Sequence, residues 1–342
     1  MDHALGALLG AAVGDAAGAF LEFWHGDIVE ADVEKALTLP GGGCFAVGPG
    51  QFTDDTELAL CQAYGLAGHA PSDGFPTESV ATQYAWWFNA SKPFDAGQTT
   101  SLAFRVPRCP GDRGFAATLR ANVDNPTNAS SKANGAAMRA TPLAIWGHRL
   151  PLNALAACAR QDAQLSHPNE TTQDANACYV IACASLIAQP GDSEAALAAA
   201  EGWAGVHGCA EVQAWLAEAR GGGMESYRAS PLIGFVKHAF LLAFFHLRER
   251  SSFEAGLRHT LLCGGDTDTN AAIVCGLLGA LHGAAAGIPE KMRSTVESYT
   301  PVNCGETNMG IERPSKLHGR EIRPLVARLF KSATTAQVEK SQ

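Results

Sequence analysis

An all-α fold, packed as an orthogonal multi-helix bundle, follows from three observations on the sequence. Apolar residues recur at spacings of three and four through most of the chain, the period of helices that turn one face to a core. Alternating runs of Val, Ile, Thr and Tyr between turn residues, the mark of strands, are nearly absent. The 342 residues are 46% hydrophobic and only 8% aromatic, with 36 Gly, an Ala- and Gly-rich globular composition with ample core-forming material.

The first predicted helix, Ala4–Leu21, is apolar, and because no basic segment precedes it, it reads as part of the domain rather than as a signal peptide. Thr53 then opens a helix over Glu57–Gly68 as its N-cap candidate. The same spacing predicts helices over Ser79–Phe88, Leu152–Gln161, Ala175–Ala188, Glu194–Val206 and Ala210–Ala219. Phe235–Arg248 lies in the most apolar stretch, but Lys237 and His238 interrupt it. That stretch falls short of the roughly twenty residues of a membrane span, so a buried core helix is expected. Phe253–Leu262 and Ala271–Ala285 follow, the latter introduced by Asp266 as a second N-cap candidate, and a last helix covers Ile322–Leu329. A short irregular pairing is expected around Phe45–Val47.

Gly and Pro gather in Pro40–Gly50, Pro107–Gly114 and Gly221–Pro231, which read as loops between helices because none has the length or composition of a linker. Residues 1–330 are therefore expected to form one domain, with 331–342 as a flexible polar tail. The formal net charge of −9 leaves no basic stripe for a nucleic acid polymer. Ten cysteines occur without a Cys-x-x-Cys pair, and Cys61, Cys158, Cys178, Cys183 and Cys275 stand at core-like positions. They read as buried thiols of a reducing, cytoplasmic compartment. A monomer with no membrane partner is expected.

Two acidic clusters carry the chemistry: Thr53-Asp54-Asp55-Thr56, and Gly264-Gly265-Asp266-Thr267-Asp268-Thr269-Asn270. Neighbouring carboxylates repel, so two Asp pairs beside apolar runs call for a compensating cation. Hard oxygen ligands select Mg²⁺, Mn²⁺ or Ca²⁺ over Zn²⁺. Helix capping explains one residue per cluster but not the repeat, and a cap and a ligand can share a helix N-terminus.

Four blocks together resemble the ADP-ribosylglycohydrolases, a family that includes the enzyme reactivating dinitrogenase reductase and the ADP-ribosylarginine and ADP-ribosylserine hydrolases. They are Gly10 to Phe23, with Gly14-Asp15 and Glu22; Gly50 to Glu57; Asn134-Gly135-Ala-Ala-Met138-Arg139; and Gly264 to Ala271. The resemblance implies an all-helical bundle holding two Mg²⁺, with Mn²⁺ as a substitute, on Thr53, Asp54, Asp55, Asp266, Asp268 and Thr269. It places Glu22 beside the metals, and sets Gly97 and Thr100 of the Phe94–Thr100 block along the substrate cleft, although a Gly turn opening a helix fits the same block. Ser131, Lys132, Asn134 and Gly135, followed by Met138, precede an apolar helix, where backbone N–H groups can cradle a diphosphate. Ala133 stands where the family carries Gly. Ser166-His167-Pro168 resembles the motif whose imidazole lies near the ribose and adenosine, although a cap before a helix at Thr172 fits the same residues.

The implied activity is removal of ADP-ribose from modified proteins, most of all from arginine, by attack of an activated water at ribose C1″. The implied catalytic residues are Asp55 as base, Asp54 beside it, and Glu22 gating access or assisting proton transfer. A guanidinium leaving group suits an acidic neighbour such as Asp95. Alternatives remain: hydrolysis of ADP-ribosylserine, poly(ADP-ribose), O-acetyl-ADP-ribose or ADP-ribose-1″-phosphate, and a non-catalytic binding or immunity role. Residues 301–320, with Cys304, Glu306 and His318, read equally as a cover over the site or as a surface connection.

Overall fold

The computed structural model describes residues 1–106, 113–300 and 309–335. In chain order its helices are α1 Asp2–Gly18, α2 Glu30–Ala36, α3 Asp54–Leu66, α4 Thr77–Asn89, α5 Gln98–Phe104 and α6 Phe115–Asn122. Next come α7 Pro126–Ser130, α8 Thr141–Gly147, α9 Leu152–Ala163, α10 Glu170–Ala188, α11 Ser193–His207 and α12 Ala210–Gly221. The chain closes with α13 Val236–Glu249, α14 Phe253–Cys263, α15 Thr267–His282, α16 Ala284–Gly287, α17 Glu290–Ser298 and α18 Ile322–Thr335. Among the described residues, β-type pairing is confined to isolated bridges between Gly42 and Val47 and between Ala133 and Phe235. The fold is all-α, as expected, and the Phe45–Val47 pairing amounts to one rung closing a turn.

Helices α1 and α15 form the axis of the bundle, each buried along almost its whole length. Glycine makes that possible. A Cβ on Gly14 would lie 2.3 Å from the Ala271 carbonyl oxygen, and one on Gly18 would lie 2.3 Å from the Asp268 Cα. No side chain fits between backbones that close, so the bare face of α1 sets how near Asp15 and Asp268 approach. Helix α10 is buried in the same way, and α3, α8, α13 and α14 complete the packing around this centre. The apolar α13 is the core helix expected, with Val236 and His238 through Leu247 all buried. No described helix is long and apolar enough to cross a membrane.

Several boundaries move, and two moves matter. Helix α3 starts at Asp54 rather than Glu57, and α15 at Thr267 rather than Ala271, so both acidic clusters lie within first helical turns. Helices α2, α6, α7, α16 and α17 show no period over so few turns, while α5 is the helix that a Gly turn at Gly97 opens. Helix α18 continues to Thr335, five residues into the stretch expected as a tail; residues 336–342 lie outside the described ones. So do residues 107–112 of the expected Pro107–Gly114 loop, and Cys304 and Glu306. Of the described cysteines, Cys61, Cys158, Cys178, Cys183, Cys263 and Cys275 are buried free thiols.

Candidate metal centre and its cleft

Asp15, on the buried face of α1, organises the centre. Its two carboxylate oxygens accept four hydrogen bonds from the start of α3: from Thr53 N at 2.8 Å and Oγ1 at 2.9 Å, and from Thr56 N at 3.0 Å and Oγ1 at 2.6 Å. A carboxylate from another helix thus satisfies N–H groups that a helix terminus leaves open. Thr53 and Asp266 occupy the N-cap positions of α3 and α15, yet neither side chain makes a capping bond. Both side chains are left for the centre itself.

The Thr53 hydroxyl shows how closely acceptor oxygens crowd the centre. Its Oγ1 lies 2.9 Å from Asp15, 3.2 Å from Asp55 Oδ2 and 3.2 Å from Asp268 Oδ2, but a hydroxyl has one proton to donate. Carboxylate oxygens of Asp15, Asp55 and Asp268 converge within 4.8 Å, as do those of Glu22, Asp95 and Asp268. Asp55 Oδ1 and Glu22 Oε2 are buried without a hydrogen-bond partner. Buried oxygens left unpaired among like charges are costly, and hard divalent cations are the groups that this all-oxygen donor set fits.

The acid–base properties agree. Burial, then the charges of Asp95 and Asp55, push the Asp54 carboxyl well above its ordinary range. Asp55 is raised in the same way by burial, Asp15 and Asp266, and Asp268 by burial, Glu22 and Asp55. Burial and Asp95 lift Glu22 to about 8, while burial lifts Asp15 and Asp95 to about 6. Asp54 and Asp95 line the same end of the cleft.

The cluster floors one end of a cleft of about 360 Å³. Glu22, Asp54, Asp95, Asp266, Asp268 and Thr269 line that end, and Gly97, Thr100, Asn134, Gly135, Met138 and His167 line the rest. Asn134 Nδ2 donates to Asp266 Oδ2 at 2.8 Å, tying the two ends together. A Cβ on Gly135 would meet His167 Cε1 at 3.0 Å and Thr100 Oγ1 at 3.1 Å, so the glycine lets three expected cleft residues converge. The His167 imidazole is neutral, its pKa lowered to about 3 by burial and then by Arg139, and its Nδ1 lies 2.8 Å from Ser166 Oγ. The capping alternative for this motif fails, because Asn169 is the residue that caps α10, accepting from Thr171 N at 3.1 Å.

Two expected cleft residues are elsewhere. Lys132 is drawn into an ion pair with Glu211 at 2.6 Å, and Ser131 Oγ is taken up by Thr99 at 3.0 Å and the Ala133 amide at 3.3 Å; neither lines the cleft. The anion cradle expected at a helix start after Gly135 is also displaced. Turns occupy residues 135–139 and α8 begins at Thr141, while the Asn134 amide is spent on Gly234 O at 3.0 Å. Beneath this turn, Arg139 is fully buried against Asp162 and donates to Gly135 O at 2.9 Å.

Sequence reasoning gave no role to Asp15, Arg139 or Gly234, and treated Asp95 as a neighbour rather than a member of the cluster. Asp15 and Arg139 stood inside the quoted blocks, and an ionisable residue in an apolar run was the signal available.

Comparison with known proteins identifies the family. The profile of the ADP-ribosylglycohydrolase family matches residues 1–337. The chain is 36% identical over 151 residues to the ADP-ribosyl-[dinitrogen reductase] glycohydrolase of Rhodospirillum rubrum, covering 43% of this chain and 46% of that protein. It is 32% identical over 208 residues to the ADP-ribosylarginine hydrolase Tri1 of Pseudomonas putida (strain GB-1), covering 58% of this chain and 50% of that one. The matched stretches thus span about half the length of these two relatives. A solved ADP-ribosylglycohydrolase-related protein complex shares the fold, with a TM-score of 0.71 at 24% identity over 97% of this chain and 98% of that one. The chain belongs to the ADP-ribosylglycohydrolase family.

Proposed function

We propose that this protein is a metal-dependent hydrolase that removes ADP-ribose from modified proteins, with arginine as the acceptor. The observation that carries this reading is the Thr53 hydroxyl set among three carboxylates, one of which, Asp268, lines the cleft. Thr53, Asp54, Asp55, Asp266, Asp268 and Thr269 would hold two Mg²⁺ or Mn²⁺. Bound there, the ions would orient the ribose diol and acidify a water.

The remaining steps belong to the chain. Asp55 Oδ1, buried without a partner, accepts the proton of the water that adds to C1″ as the bond from C1″ to the guanidino nitrogen breaks. Glu22 lines the same end of the cleft as Asp54 and Asp268, placed to give a proton to the departing nitrogen. Asp95 faces the same end and receives the guanidinium that results. His167, neutral and buried, offers a hydrogen bond rather than a charge to the far part of the ligand. The name of the Pseudomonas relative and the acidity of that end of the cleft both favour arginine over serine, whose departing oxygen has no positive charge for the acids to bind.

Incubating the protein with arginine-modified and serine-modified substrates in parallel, with Mg²⁺, tests the acceptor. Release of ADP-ribose from the arginine substrate alone is expected. Release from the serine substrate alone would keep the hydrolysis and overturn the acceptor.

A further inference from the structure

The segment before α18, which the sequence left open between a cover over the site and a surface connection, sends Arg313 into the protein, where it is buried. Arg313 is 8% exposed, and all five of its N–H donors are used. Nε donates to Glu57 Oε1 at 2.6 Å and Nη2 to Glu57 Oε2 at 2.8 Å. Nη1 donates to the carbonyls of Ser91 at 2.8 Å and Lys92 at 3.0 Å, and Nη2 also reaches Ser91 Oγ at 3.0 Å. The guanidinium also lies over the Phe94 ring, 5.8 Å from its centre.

Each partner adjoins the site. Glu57 stands one turn along α3 from Thr53, whose carbonyl accepts its amide at 3.2 Å. Lys92, held at a left-handed φ of 52°, is joined to Asp95 by Pro93 and Phe94 alone. Left-handed backbone at a lysine is strained and needs its surroundings to hold it, and two of the five bonds fall on the carbonyls that flank it. One planar fork therefore fixes the first turns of α3, which carry Asp54, against the loop that carries Asp95.

We infer that Arg313 is a positioning residue for the reaction, setting Asp95 against Asp54 through its fork on Glu57 and the Ser91 and Lys92 carbonyls. The inference rests on the hydrolase reading. It makes the segment around residue 313 a working part of the site rather than a surface connection. A lysine can pair with Glu57 but cannot reproduce the fork, and that difference separates positioning from simple support.

The test compares wild type with Arg313→Lys and Arg313→Ala in steady-state release of ADP-ribose, thermal melting and peptide-level hydrogen exchange. For Arg313→Lys, melting close to wild type, KM within about threefold and kcat lower by roughly thirtyfold are expected, since a misplacement near 1 Å can cost about a hundredfold. Faster exchange should be confined to residues 91–97. Unchanged kcat in the folded variants, unchanged exchange at 91–97, or loosening of α3 and α4 as a whole would overturn the inference. If wild type releases no ADP-ribose, the hydrolase reading fails, and the exchange comparison still decides whether Arg313 holds the loop.

Discussion

Thr53 can satisfy one carboxylate at a time, and that limit organises the expectations at the scale of single residues. Asp55→Asn and Asp268→Asn each remove a charge from the cluster and an oxygen from the ligand set. Turnover should fall by roughly three orders of magnitude, with circular dichroism unchanged. In EDTA each variant should melt about a degree or two higher than wild type, because a buried repulsion has been relieved. Normal turnover in either would remove that residue from the mechanism.

The raised carboxyls also fix a pH dependence. Glu22 titrates at about 8 in the fold against 4.5 as an ordinary side chain, and Asp15 and Asp95 at about 6 against 3.8. The folded state therefore binds more protons than the unfolded chain over this range, so stability falls as pH rises. Their contribution is complete below about pH 4 and is lost as pH passes through 6 and then 8. Melting in EDTA at pH 5.5 and pH 8.5 should show the higher pH less stable, and saturating Mg²⁺ should remove most of the difference. Equal melting at both pH values without metal would mean that burial does not raise these carboxyls.

At the scale of elements, the contact of α1 with α15 places the chemistry. Gly14→Ala puts a Cβ against the backbone of Ala271, 2.3 Å from its oxygen and 2.6 Å from its carbon, where no flexible side chain can yield. The helices must part, at a cost of about 1–3 kcal/mol, measurable by urea titration. Because Asp15 and Asp268 ride on the two helices, the variant should also lose most of its stabilisation by Mg²⁺. Long helices such as α10 and α13 were legible because their apolar spacing runs for several turns, and the two acidic clusters because their repeat exceeds what capping needs. Asp15 was not, because its partners Thr53 and Thr56 lie in a different helix and no local pattern announces a cap supplied from afar. Lys132 misled for the converse reason: a lysine near a glycine turn looks like an anion ligand until Glu211 is seen to hold it.

At the scale of the molecule, the site gathers residues from nearly the whole chain, from Asp15 on α1 to Arg313 beside α18. The sequence blocks marked the two acidic walls and the turn at Gly135, and the resemblance they carry spans the fold. What escaped is the connection between them. Glu57 looked like an ordinary polar position on α3, and Arg313 an ordinary basic one in a loop, because a buried ion pair 256 residues apart has no signature in either neighbourhood. The same holds for Asn134 with Asp266, 132 residues apart.

The most direct test of the central claim is release of ADP-ribose from arginine-modified protein by wild type and Asp268→Asn, each with Mg²⁺ and with EDTA. Release by wild type with Mg²⁺ alone, lost in EDTA and lost in the variant, is the expected result. Release that persists in EDTA, or silence from wild type carrying stoichiometric metal, would contradict the account.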